Sequence, residues 1–191
     1  MSTRAYGADL TDRVRDILIQ PRAEWERVAA APPPAMSVLT RHVVPLALLA
    51  GLISFAGGLL SAQAPVFAAL TSLVFFLALI VGVYIWALAI DLMAPLFGGE
   101  SEWRASMALA GYAATPVLLG IGFQTMPAPL SWISLISIYA IFVLNPGVGR
   151  IKKTTDTQSM QAWLAMSAAG LVILFLVFWV CGLLGAVLPA R

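Results

Sequence analysis

The sequence predicts an all-α polytopic membrane protein, a bundle of five transmembrane helices preceded by amphipathic helices on its cytoplasmic side. Three observations predict it. Charged residues make up 10% and hydrophobic residues 61% of the 191 positions, whereas a soluble domain averages roughly 25% charged and about half apolar. The apolar residues fall in five long runs, each close to the roughly 20 residues that cross about 30 Å of hydrocarbon at 1.5 Å per residue. Lys and Arg crowd into alternate connecting segments. So few charges cannot make a water-facing shell, and the surplus apolar surface must face lipid.

Residues 1–41 read as a cytoplasmic segment of amphipathic helices with a Pro-rich linker, and residues 42–191 as the five-span domain. Leu10, Val14, Ile17 and Leu18 repeat at helical spacing, which predicts a short amphipathic helix. Gln20-Pro21 interrupts it, and Pro21 suits the first turn of a second helix with Trp25, Val28 and Ala29 on its apolar side. Pro32-Pro33-Pro34 then predicts a stiff extended connector. Six Arg against five acidic residues leave residues 1–41 at +1, too little for strong attraction to anionic lipid. Lying on the leaflet and docking on the inner ends of the bundle both fit this pattern.

The spans run from His42 to Ser61, Val66 to Ala94, Arg104 to Phe123, Leu130 to Val148 and Met160 to Leu188. Ala62-Gln63-Ala64 has the small residues of a signal-peptidase site. The long polar segment before it and Pro65 after it favour an uncleaved first span. Arg4, Arg13, Arg15, Arg22, Arg27 and Arg41 precede the first span, Arg104 follows the second, and Arg150, Lys152 and Lys153 follow the fourth. The opposite segments hold only Arg191. The positive-inside rule therefore predicts a cytoplasmic N-terminus and an outer C-terminus, periplasmic in a bacterial inner membrane. Trp103, Trp132 and Trp163 stand at span entrances, where indoles anchor at the headgroup level.

Within the spans, Ala47, Gly51, Ser54 and Gly58 recur at three- and four-residue intervals, and Gly111 and Thr115 repeat the spacing in the third span. Small residues let helix backbones approach closely, which suits contacts within one protomer or a dimer face. Pro116 cannot donate to the carbonyl of Tyr112, so the third span kinks there, with Thr115 or a neighbouring helix in reach of the freed group. Asp91 is the one acid within a span. It suits the headgroup interface, a structural hydrogen bond to Tyr84 or Tyr112, or proton and ion handling. His42, beside Arg41, reads as an interfacial residue. Cys181 has no second cysteine to pair with.

Several segments together resemble the Yip family, five-span membrane proteins named for interaction with Ypt and Rab GTPases. They are Pro21-Arg22-Ala23-Glu24-Trp25, Pro45, Leu96-Phe97-Gly98-Gly99, and Leu109-Ala110-Gly111-Tyr112-Ala113-Ala114-Thr115-Pro116-Val117-Leu118-Leu119. A Gly and basic loop from Gly147 to Lys153 and a long last helix follow. The resemblance implies a five-helix bundle with a cytoplasmic N-terminal region. The acidic Leu-rich motif of eukaryotic members is missing, so Rab binding is not carried over, and the short N-terminus is more similar to bacterial relatives. Asn145-Pro146 departs from the family's smoother fourth span.

The function expected is non-enzymatic: a bundle that organises membrane or partner proteins through helix packing, with the lipid bilayer, further copies of itself or other membrane proteins as partners. A small transporter or channel using Asp91 and the kinked helices is the alternative. No basic stripe with aromatics points to nucleic acid. No paired histidines, nucleophile with base, or Gly-Lys phosphate loop points to catalysis, a metal or a cofactor. Gly98-Gly99 reads as a helix-ending turn.

Overall fold

The computed structural model describes residues 10–153 and 156–187, all of whose regular elements are helical. Arg4, Arg191 and the last residue of the fifth predicted span lie outside these residues. Helix α1 spans Leu10–Ile19 and α2 spans Pro21–Ala30, with Pro21 in its first turn. Pro34 then adopts the extended φ −57°, ψ 132° of a polyproline segment. Five helices long and apolar enough to cross a membrane follow: Ala35–Leu60, Pro65–Phe97, Trp103–Thr125, Leu130–Lys152 and Gln158–Leu183. The chain is an integral membrane protein with the five-span fold that its sequence predicts.

The boundaries shift in instructive ways. The first span begins at Ala35 rather than His42, because the helix passes through one wide π turn, Leu39–Val43, before Pro45. The wide turn sits where proline cannot complete the α ladder. The fourth span does not end at Val148. Its helix runs through Asn145-Pro146 to Lys152, so the predicted break and the predicted Gly and basic loop are both helical. Lys153, at φ 56°, ends it. The second span closes at Gly98, whose φ of 69° suits a residue without Cβ. Its N–H bonds the Pro95 carbonyl at 3.2 Å, and Gly99 bonds that of Ala94 at 2.9 Å, a helix-ending turn.

The third span is the core of the bundle. In its most apolar stretch 83% of residues are buried, against 17% in the fifth span. Every residue from Ala105 to Pro116 is buried, and most of them are small. Small side chains let surrounding helices approach closely on all sides. The second span packs on the first, third and fifth, the fourth on the third and fifth, and the C-terminal half of the third on the first and fourth. Exposed Leu, Ile, Val and Phe side chains form the perimeter, as Leu52, Leu73, Phe142 and Phe175 do, and face lipid rather than water.

Helices α1 and α2 dock on the bundle. Of the two placements compatible with the sequence, the structure has the docked one: α2 packs on the fourth span, and Ile17, Trp25 and Val28 belong to the same core as the spans.

Candidate functional site

Two polar assemblies lie towards the end of the bundle that carries α1 and α2. The first is built on Trp25. Its ring is fully buried and its indole donates to the Val143 carbonyl at 2.7 Å, which satisfies the one polar atom of an otherwise apolar side chain. Gly147 makes the seat. A Cβ there would stand 2.8 Å from the Trp25 ring and 2.6 Å from Leu109, so only glycine allows this approach. Glu24, also buried, pairs with Arg13 and with Arg27, the latter at 2.8 Å. Arg27 also reaches Asp16 at 2.8 Å. The hydrogen bonds to Asp16 and then Glu24 push the Arg27 guanidinium further above its ordinary value. Arg150 bonds Glu26 at 3.3 Å, and the Tyr139 hydroxyl donates to the Leu18 carbonyl at 3.1 Å.

This assembly continues inward through the third span. Arg13 lies 5.3 Å over the Tyr112 ring, within cation–π range. His42 meets the same ring edge-on at 4.8 Å between centroids. Its Nε2 is 2.9 Å from the Thr115 hydroxyl. His42 is 3% exposed, which corrects its expected interfacial position: the π turn and the small third span leave room to bury an imidazole. Thr115 Oγ1 donates to the Tyr112 carbonyl at 2.7 Å. Pro116 leaves that carbonyl without its helical partner, while the bonds on either side, Ala114 to Ala110 and Leu118 to Ala114, stay at 2.9 Å. The third span is accordingly divided into Trp103–Ala113 and Thr115–Gly120.

The second assembly surrounds Asp91. Its carboxylate accepts from Ser101 Oγ at 2.9 Å, Ser106 Oγ at 2.6 Å and Lys152 Nζ at 3.3 Å. The expected partners Tyr84 and Tyr112 are not among these; Tyr84 instead packs against Trp103 at 5.2 Å. Lys152 has no exposed surface. Its ammonium also donates to the carbonyls of Glu100 at 3.2 Å and Glu102 at 3.3 Å, and to Ser106 Oγ. The pair therefore ties together the second span, the turn after it, the third span and the end of the fourth. Spacing alone places Lys152 in a basic loop beside Lys153. Once the fourth span is helical to Lys152, the two separate: Lys153 is exposed and pairs with Glu100 at 2.8 Å.

The small-residue positions are internal to the chain. A Cβ on Gly51 would meet Phe76 of the second span at 3.2 Å, and one on Gly58 would meet Gln63 at 2.8 Å and Ala68 at 3.0 Å. Ser54 is buried, and its carbonyl accepts from Thr125 Oγ1 at 3.3 Å. Gly111 seats Val38, which a Cβ would approach to 2.6 Å. Gly111, Tyr112, Thr115 and Pro116 of the third span thus belong with His42 of the first, whereas Asp91 belongs to the other assembly. Reading the sequence missed Gly57 and Gly122, whose faces abut the backbones of Thr125 and Ala50; Trp163, expected as a headgroup anchor, donates its indole N–H to the Ile141 carbonyl at 2.8 Å.

Among the described residues no group of three or more His, Cys, Asp or Glu side chains converges as a metal site. No curated protein and no solved structure matches the chain. The Yip1 domain, as a family, matches residues 15–189. That range begins within α1 and takes in Trp25, the Asp91–Lys152 pair and all five spans. The chain belongs to the Yip1 domain family.

Proposed function

We propose that this Yip-family membrane protein acts without catalysis, organising membrane or partner proteins around a fixed bundle. The N-terminal helices lie on the cytoplasmic side and the C-terminus on the outer side of a bacterial inner membrane. The observation that carries the reading is the docking of α1 and α2 by Trp25. The helix pair is held as a rigid platform at one end of the bundle, with Asp12, Arg15, Arg22, Glu26 and Arg27 exposed on it. A charged surface of fixed shape is suited to a protein partner, since little ordering entropy opposes association.

The polar groups inside the spans favour this reading over a conduit. Asp91 is held by two hydroxyls and an ammonium, whereas an ion path needs several polar groups free to exchange ligands. The orientation rests on Arg13, Arg15, Arg22, Arg27, Arg41, Arg104 and Arg150, all in segments that alternate spans bring to one side.

Site-specific photo-crosslinkers at Arg15, Arg22 and Glu26 in native membranes test the proposal. Reproducible partners, a second copy of the chain included, are expected, and they should be lost with Trp25→Ala. Recovery of none would overturn the reading. Flux of protons or cations through the protein in liposomes, abolished by Asp91→Asn, would favour the transporter instead.

A further inference from the structure

A cavity of about 150 Å³ lies between the second, third, fourth and fifth spans. Trp86 walls one side. Its indole is committed to the Met166 carbonyl at 2.9 Å, and Gly170 lies so close that a Cβ would stand 2.9 Å from the ring. The lining is almost wholly apolar, with the hydroxyls of Ser137 and Ser167 as exceptions. Ser167 is 9% exposed, and neither hydroxyl has a hydrogen-bond partner among the described residues. Buried hydroxyls left in this state are costly.

Size, polarity and depth together define an occupant. About 150 Å³ is room for a benzene-sized ring, and a water there would lack most of the roughly two to four polar partners it needs. Gly82 lines the cavity midway along Pro65–Phe97, and Ser137 and Ser167 are turns away from either end of their spans. The cavity therefore lies in the hydrocarbon layer, with the exposed side chains of Ile138 and Leu171 at its lipid-facing edge. Phospholipid carbonyls stay near the headgroups, about 15 Å from the midplane of a roughly 30 Å core, and acyl tails carry no acceptor. A neutral, membrane-dissolved, ring-sized molecule with carbonyl acceptors would satisfy both hydroxyls.

We infer that the cavity binds the ring of a prenyl quinone, with Ser137 and Ser167 donating to its carbonyl oxygens. The inference concerns binding alone, without electron transfer, and is independent of the platform proposed above.

The test uses the full chain in phosphatidylcholine nanodiscs with radiolabelled decyl-1,4-benzoquinone. Saturable binding above empty nanodiscs is expected, with decylbenzene competing at least tenfold less well. Ser137→Ala combined with Ser167→Ala should weaken binding about tenfold, the loss of two ordinary hydrogen bonds. No saturable binding would overturn the inference. So would equal competition by decylbenzene, which marks a crevice that any hydrocarbon fills. Should the double variant fail to stay monodisperse, the decylbenzene competition decides alone.

Discussion

Removing Asp91 is expected to destabilise the bundle more than removing Lys152, although the two form one ion pair. Lys152 is fully enclosed and Asp91 is 19% exposed. In Asp91→Ala the buried ammonium loses its bonded carboxylate and keeps hydrogen bonds to the carbonyls of Glu100 and Glu102 and the Ser106 hydroxyl. Stranding one member of a buried pair costs roughly 3–5 kcal/mol, and the partial exposure of Asp91 argues for the lower end, about 3 kcal/mol. In Lys152→Met the carboxylate keeps the hydroxyls of Ser101 and Ser106 and its water-facing edge, so about 1–2 kcal/mol is expected. The double variant Asp91→Leu/Lys152→Met removes both charges and should cost less than the sum of the singles, with a coupling of about 2 kcal/mol. Equilibrium unfolding in mixed detergent and SDS micelles, followed by tryptophan fluorescence, measures all three. The reasoning is refuted if Asp91→Ala stays within ~0.5 kcal/mol of wild type, or if the double variant costs the full sum.

Lys153→Gln, one residue on, should cost little at neutral pH, because the pair it breaks is exposed. The bond to Glu100 raises the Lys153 pKa, so whatever the pair adds is complete below the ordinary lysine value and fades as pH rises through the raised one; unfolding titrations at alkaline pH read this. Thr115→Val strands the Tyr112 carbonyl and removes the His42 partner, for an expected loss of roughly 1–3 kcal/mol, while Thr115→Ser should recover most of it in the same unfolding assay. Gly147→Leu should expel Trp25 from its seat, and trypsin should then cut at Arg15 and Arg22 in inside-out vesicles under conditions that spare the wild type. Gly122→Ala presses a Cβ on the Ala50 backbone and should cost about 1–3 kcal/mol. Equal stability to wild type would show that the first and third spans separate easily there.

Much of the architecture is legible in one dimension because hydrocarbon imposes a simple rule. A helix must stay apolar for the thickness of the bilayer and its ends must meet polar headgroups, so five runs appear as five runs. Proline is equally local. Pro116 dictates that the Tyr112 carbonyl loses its partner, and Thr115, one residue away, is the side chain that takes it up. Gly98 ends a helix for a reason carried in its own backbone.

Partner choice is not local. Periodicity marks Trp25 as an apolar position, but its burial depends on Gly147, over a hundred residues away, leaving a gap of ring shape. Asp91 has two tyrosines at plausible spacing, yet the third and fourth spans deliver Ser106 and Lys152 instead. Lys152 itself counts as a loop charge until the fourth helix is seen to pass through Pro146. By itself the sequence determined the solvent, the number of spans and the loss of the Tyr112 carbonyl's helical partner at Pro116, since these depend on residues close to one another along the chain. Only the tertiary structure decided which polar groups leave water together, because a buried charge or indole is tolerated only where distant helices bring it a partner.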